Sequence, residues 1–189
     1  MIKTRLITMV LAWVVCLVPC SATAQQAAAK MLPDFTLPVP SSSEYQAYLG
    51  VTGADTEEFN VHDIDADILL IELFSMYCPY CHAAAPAVNE LYTLMQQTSQ
   101  SGPRMRMIGL GANNTRFEVD HYQHTFTVAF PLFADKDMTL YRLLEGAGTP
   151  GFVGCRKNED GKFEIIVQRS GEFDTPEGFL QELLERAGR

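Results

Sequence analysis

The sequence predicts one α/β domain, a sandwich of helices packed on a central sheet, and three observations predict it. From Ile68 onward, short branched apolar runs alternate with segments of helical periodicity. The run Ile68-Leu69-Leu70-Ile71-Glu72-Leu73-Phe74 is almost continuously apolar, as a strand buried on both faces requires. Near the C-terminus a polar turn joins two further extended runs.

The chain has 189 residues. At its start Lys3 and Arg5 precede a mainly apolar run from Leu6 to Val18, followed by Pro19 and Ala22-Thr23-Ala24. That layout is a secretory signal peptide cleaved after Ala24. The apolar run is shorter than the roughly 20 residues of a membrane-spanning helix, so export is expected rather than an anchor. Cys20 follows Pro19, where lipid attachment would want a small residue, which makes lipoprotein processing the lesser reading. Residues 25–31 are expected to be a flexible leader and residues 32–189 one folded domain.

Removing Lys3 and Arg5 takes the formal charge from −9 to −11, with 12 basic against 23 acidic residues. Such a balance disfavours nucleic acid and anionic lipid and is otherwise what solubility asks for. Of five cysteines, Cys16 and Cys20 leave with the signal peptide. Cys78, Cys81 and Cys155 remain, one close pair and a leftover, which is the pattern of chemistry rather than of a disulfide-stapled scaffold.

From Leu37 to Asp67 the text is rich in Pro, Ser, Gly and Asp, and predicts loops with a strand or short helix. Ile68 to Phe74 is the central strand. A helix to about Gln97 follows, with Val88, Leu91, Tyr92 and Met95 at helical spacing. Met105 to Leu110 predicts a strand, Arg116 to Phe126 a helix, Phe130 to Phe133 an extended piece and Met138 to Glu145 a helix. Gly151 to Arg156 and Phe163 to Gln168 flank Asn158-Glu159-Asp160-Gly161 as a hairpin. The last helix has Thr175 as N-cap, Pro176 at its first position and Phe179, Leu180, Leu183 and Leu184 as its buried stripe.

The chemistry follows from where Cys78-Pro79-Tyr80-Cys81 falls. The pair opens a helix, where unpaired N–H groups and the dipole stabilise a thiolate on Cys78. Cys81, one turn on, is close enough to attack a mixed disulfide and is expected to be the more buried resolving sulfur. Pro79 suits the first helical position, where no N–H is needed. Cys155, in a strand-like run, reads as a small core residue.

The segment Ile71-Glu72-Leu73-Phe74-Ser75-Met76-Tyr77-Cys78-Pro79-Tyr80-Cys81 resembles the active-site strand and turn of the thioredoxin superfamily. Glu72, six residues before the first cysteine, and Pro86, eight after it, match that family's buried acid and helix-kinking proline. Thr149-Pro150 matches its cis-proline, with an exposed strand edge beside it for substrate backbone. The extra Phe130 to Glu145 and the entry segment Pro33-Asp34-Phe35-Thr36-Leu37-Pro38 resemble the exported TlpA-like branch. The usual Trp before the pair is here Tyr77, and Pro-Tyr inside it resembles glutaredoxins and the DsbA group.

The resemblance implies a three-layer thioredoxin-like sandwich with a central mixed sheet, and a periplasmic, monomeric protein disulfide oxidoreductase without a cofactor. Cys78, Cys81, Glu72 and Pro150 would be catalytic, and Tyr77, Pro79, Tyr80 and Thr149 would meet substrate, Pro79 and Tyr80 also setting the redox poise. Partners would be exported proteins bearing thiols or disulfides and a membrane electron donor or acceptor. Glu72 has two readings, a strand-end carboxylate satisfied by polar neighbours or, the preferred one, a proton relay to Cys81 with a pKa raised by burial.

Rival readings exist in the same letters. Cys78-Pro79-Tyr80-Cys81-His82 satisfies the c-type haem attachment pattern, with His82 and one of Met95, Met105, Met107, His121 or His124 as axial ligands. The strand immediately before the pair argues against it and leaves His82 as an exposed helix residue. A metal site using the pair with His121 and His124 lacks a further ligand pair. Peroxide reduction, suggested by the entry segment, ranks below dithiol exchange.

Overall fold

A computed structural model describes residues 30–52 and 57–188. The expected signal peptide, its cleavage after Ala24 and most of the 25–31 leader lie outside the described residues. Among the described residues no helix is long and apolar enough to cross a membrane.

In chain order the elements are β1 (Thr36–Pro38), α1 (Ser43–Leu49), β2 (Glu58–Asn60), β3 (Ile68–Phe74), α2 (Pro79–Thr98), β4 (Met105–Ala112) and α3 (Arg116–Thr125). They continue with β5 (Leu132–Asp135), α4 (Thr139–Leu143), β6 (Gly151–Lys157), β7 (Phe163–Ser170) and α5 (Pro176–Ala187). The main sheet has the order β5-β4-β3-β6-β7. Strand β3 lies parallel to β4 and antiparallel to β6, β5 is parallel to β4, and β7 is antiparallel to β6. This is the mixed three-layer sandwich expected, with β3 at its centre.

All seven residues of β3 are buried. Alternate side chains of a strand point to opposite faces. Leu69, Ile71 and Leu73 accordingly join a core with Leu37, Leu49, Val61 and Phe163. Ile68, Leu70 and Phe74 join the other, with Val88, Leu91 and Met95 of α2, Val119 and Tyr122 of α3, and Phe179 and Leu183 of α5. Full burial of such side chains stabilises by about 1.5–3 kcal/mol each. Phe74, the last of them, is thereby pinned, and the chain that leaves it toward Cys78 starts from a fixed point.

The entry segment forms a strand only at Thr36–Pro38, and it pairs with β2 in a separate two-stranded ribbon. Helix α1 is capped by the Ser42 hydroxyl, which accepts from the Tyr45 N–H, and ends at Gly50 with φ 75°. A Cβ at Gly50 would sit 2.4 Å from the Asp65 Cβ, so both space and conformation require glycine.

Two elements differ in extent from the expectation. The extended piece expected at Phe130 to Phe133 is a strand at Leu132–Asp135. Pro131 has no N–H for a ladder, although its carbonyl still accepts from Gly109 at 3.0 Å. The helix expected over Met138 to Glu145 is confined to Thr139–Leu143, because Met138 and Glu145 both adopt left-handed conformations, φ 55° and 52°. Buried Asp135 organises its start, with carboxylate oxygens accepting from Leu140 N–H at 3.1 Å and Tyr141 N–H at 2.7 Å. In the β6–β7 turn Asn158 Oδ1 accepts from Asp160 and Lys162, and Gly161 takes φ 76°. The Thr175 hydroxyl caps α5 as expected.

Candidate active site at the end of the central strand

Beyond Phe74 the chain turns through Ser75–Tyr77, and Cys78 becomes the N-cap of α2, with extended backbone at φ −94° and ψ 110°. Pro79 supplies the first helical residue. Cys78 Sγ takes the place of a capping oxygen and accepts from the Cys81 N–H at 3.3 Å. Cys78 is half-buried, Cys81 is fully buried, and both are free thiols. The Cys78 thiol donates to the Thr149 carbonyl at 3.1 Å, and the Thr149–Pro150 bond is cis. Sheet order therefore brings residues 78 and 149, far apart in sequence, into contact.

The two thiols differ in acidity. Partial burial pushes Cys78 up, but hydrogen bonds with the Cys81 and Thr149 side chains and with the Cys81 and Tyr80 backbone outweigh it and hold the thiol below its ordinary value. For Cys81, burial first and then the hydrogen bond with Cys78 push the thiol far above it. Helix position favours the thiolate form of Cys78, and depth keeps Cys81 protonated.

Glu72 lies on the α2 side of β3, by alternation with Leu70 and Phe74. It is 1% exposed, and its Oε1 has no hydrogen-bond partner. Burial alone raises its pKa to about 8. The alternative of a carboxylate satisfied by polar neighbours is thus corrected: the strand sends this group into an apolar layer that offers Oε1 nothing.

Three side chains hold the loop: Asn114 and Tyr122, absent from the sequence reading, and His82, read there only as a haem ligand or an exposed helix residue. Asn114, fully buried just after β4, accepts the Met76 N–H on Oδ1 at 2.8 Å. His82 Nε2 lies 2.7 Å from the Met76 carbonyl and donates to it. The Tyr122 hydroxyl donates to the Cys81 carbonyl at 3.2 Å. Burial and the charges that Glu72, Cys81 and Cys78 can carry push the Tyr122 hydroxyl far up, so it stays a donor. The position of Asn114, at the carboxyl end of the strand beside β3, was the available signal. Tyr122, with its hydroxyl on the buried stripe of α3, had to find a partner somewhere.

His82 is not the exposed residue expected. It is half-buried, and its ring stacks on Phe126 at 4.9 Å. Met95, Met105 and Met107 are 0% exposed in the cores. The haem reading therefore loses most of the axial ligands it needs, since only His121 and His124 face solvent. No cluster of three or more His, Cys, Asp or Glu among the described residues could hold a metal ion. Cys155 is 0% exposed, and burial pushes its thiol far up, which makes it a core residue.

The exposed strand edge expected beside Pro150 is also corrected. Strand β6 lies between β3 and β7, and the Pro150 carbonyl already accepts from Gly171 at 2.8 Å. The open surface is a groove of about 420 Å³ lined by Tyr80, Thr149, Pro150, Ser170, Gly171 and Glu172. Tyr80 is 69% exposed at its rim and Pro79 is exposed beside it. Tyr77, 63% exposed, leans away with its hydroxyl on Glu118.

No family model matches the chain, and no curated protein does. Solved structures do. A candidate thiol:disulfide interchange protein DsbE from Chlorobium tepidum is 16% identical, with a TM-score of 0.59 over 85% of this chain and 97% of that one. A candidate protein disulfide isomerase from Bacteroides thetaiotaomicron is 16% identical, with a TM-score of 0.60 over 85% and 90%. A secreted Mycobacterium tuberculosis disulfide oxidoreductase homologous to E. coli DsbE is 14% identical, with a TM-score of 0.54 over 80% and 95%. The chain thus has a thioredoxin-like fold.

Proposed function

We propose that the chain is an exported protein thiol-disulfide oxidoreductase working through Cys78 and Cys81. The observation that carries this is the asymmetric pair: an accessible, acidified thiol capping α2 and a fully buried partner one turn inside, both beside Thr149–Pro150. Structures of similar fold described as disulfide oxidoreductases support it.

In the reducing direction the Cys78 thiolate attacks one sulfur of a client disulfide. That S–S bond breaks, one client cysteine leaves as thiolate, and a Cys78–client disulfide forms. Cys81 then loses its proton and attacks Cys78 Sγ, which releases the second client thiolate and leaves a Cys78–Cys81 disulfide. Two electrons have passed to the client. Glu72 is assigned the Cys81 proton, since a carboxyl with a pKa near about 8 can accept and return it near neutral pH. Pro150 shapes the wall facing the pair, Thr149 offers backbone to the client, and Tyr77, Pro79 and Tyr80 form the rim. In the oxidising direction each step reverses. Clients are exported proteins with thiols or disulfides, a membrane donor or acceptor resets the pair, and the working unit is a monomer in the periplasm.

The test is Cys81→Ser. Without a resolving sulfur the protein should accumulate as a mixed disulfide with client on non-reducing gels, and Cys78→Ser should not. Equal trapping by both variants would contradict the assignment.

A further inference from the structure

Two carboxylates flank the strap that carries Thr149 and Pro150, and they differ in one respect. Glu145, before the strap, is neutralised by Lys30 at 2.5 Å. Glu172, across the groove, is exposed, and among the described residues no cation pairs with it. The basic side chain nearest it in sequence, Arg169, is engaged elsewhere: it bonds Glu182 at 2.7 Å and lies over the Phe179 ring at 4.6 Å. Every other residue lining the groove is uncharged.

We propose that Glu172 is a specificity residue, selecting client segments that carry a Lys or Arg beside the reacting cysteine. This rests on the proposed exchange at Cys78. Groove and pair are continuous, because Thr149 lines the groove and its carbonyl holds the Cys78 thiol. A client chain whose sulfur reaches Cys78 must lie along Thr149 and Pro150, and its neighbouring side chains then pass Gly171 and Glu172. A client cation there meets an unpaired carboxylate, whereas a client carboxylate meets repulsion with no cation to relieve it. The reaction is unchanged: the client S–S bond breaks, Cys78 bonds to the client sulfur and the leaving thiol carries off the electron pair. Glu172 alters only how often the segment is seated.

The experiment uses synthetic cysteine peptides as mixed disulfides with a chromogenic aryl thiol, identical except for Lys or Glu on either side of the cysteine. Release is followed with the reduced purified chain, and each rate is divided by that of the same peptide with dithiothreitol, which removes the effect of the charge on the thiol's own reactivity. The normalised second-order rate constant for this single round of release should favour the Lys peptide by about two- to five-fold, the range of an exposed ion pair. The preference should fall to about one in Glu172→Gln, invert in Glu172→Lys and shrink in high salt. Equal normalised rates in wild type, or a preference unchanged in Glu172→Gln, overturn the assignment while leaving the exchange reading intact. Release from no peptide overturns both.

Discussion

Replacing Glu72 by Gln removes one ionisable group from the sheet and keeps nearly the same shape, so its effect on stability can be worked out across pH. The carboxyl ionises near 4.5 when unperturbed and near about 8 in the buried site. Below about pH 4.5 it carries its proton in both folded and unfolded chains and adds no slope. Between these values the unfolded chain releases the proton and the folded chain keeps it, so stability falls as pH rises, by about 1.4 kcal/mol per pH unit. Above about 8 both states are ionised and the accumulated loss levels off at about 5 kcal/mol. Urea unfolding of reduced wild type and Glu72→Gln should therefore show a difference that changes by about 3 kcal/mol between about pH 5 and about pH 7.5, wild type losing ground. The unmade hydrogen bonds of the buried amide shift the whole difference but leave its slope unaltered. The thiols are common to both proteins and cancel. Parallel profiles would refute a carboxyl held neutral by burial, and with it the proposed relay.

Iodoacetamide at neutral pH should modify Cys78 well ahead of the other two cysteines, because its thiol is held below the ordinary value while burial holds Cys81 and Cys155 above theirs. The Cys78 rate should rise with pH and reach its half-maximum at a lower pH than that of the same cysteine in the unfolded chain. Equal labelling of Cys81, read by peptide mass, would contradict the asymmetry. Asn114→Ala should cost about 1–3 kcal/mol in urea unfolding, since the Met76 N–H loses its acceptor. Asn114→Asp, which keeps an oxygen there, should recover part of that loss, and wild-type stability in the Ala variant would show that the bond holds nothing.

How much could be read in advance depended on range. Ile68 to Phe74 was legible because an unbroken branched run has few alternatives to a central strand. The helix start was legible because Cys78, Pro79 and Cys81 act on one another within a single turn. Helix α4 was overextended because Met138 and Glu145 carry no letter that announces a left-handed conformation, and the carboxylate organising its start, Asp135, belongs to the preceding strand. Asn114 and Tyr122 were missed for a related reason. Their hydrogen bonds to the active-site loop span 38 and 41 residues, and only the parallel pairing of β3 with β4 and the packing of α3 bring the partners together. The supposed strand edge at Pro150 failed because its placement depended on which strands flank β6, which no local pattern encodes.

The most direct test is the redox equilibrium of the purified chain against a series of glutathione mixtures at neutral pH, with free thiols alkylated and each cysteine read by peptide mass. Cys78 and Cys81 should lose their labels together along one two-electron curve, while Cys155 stays a thiol throughout and is labelled only after unfolding. A midpoint near about −270 mV would make the pair a reductant and one near about −120 mV an oxidant. Cys78 and Cys81 remaining thiols across the whole series, or a disulfide that includes Cys155, would contradict a dithiol centre at the start of α2.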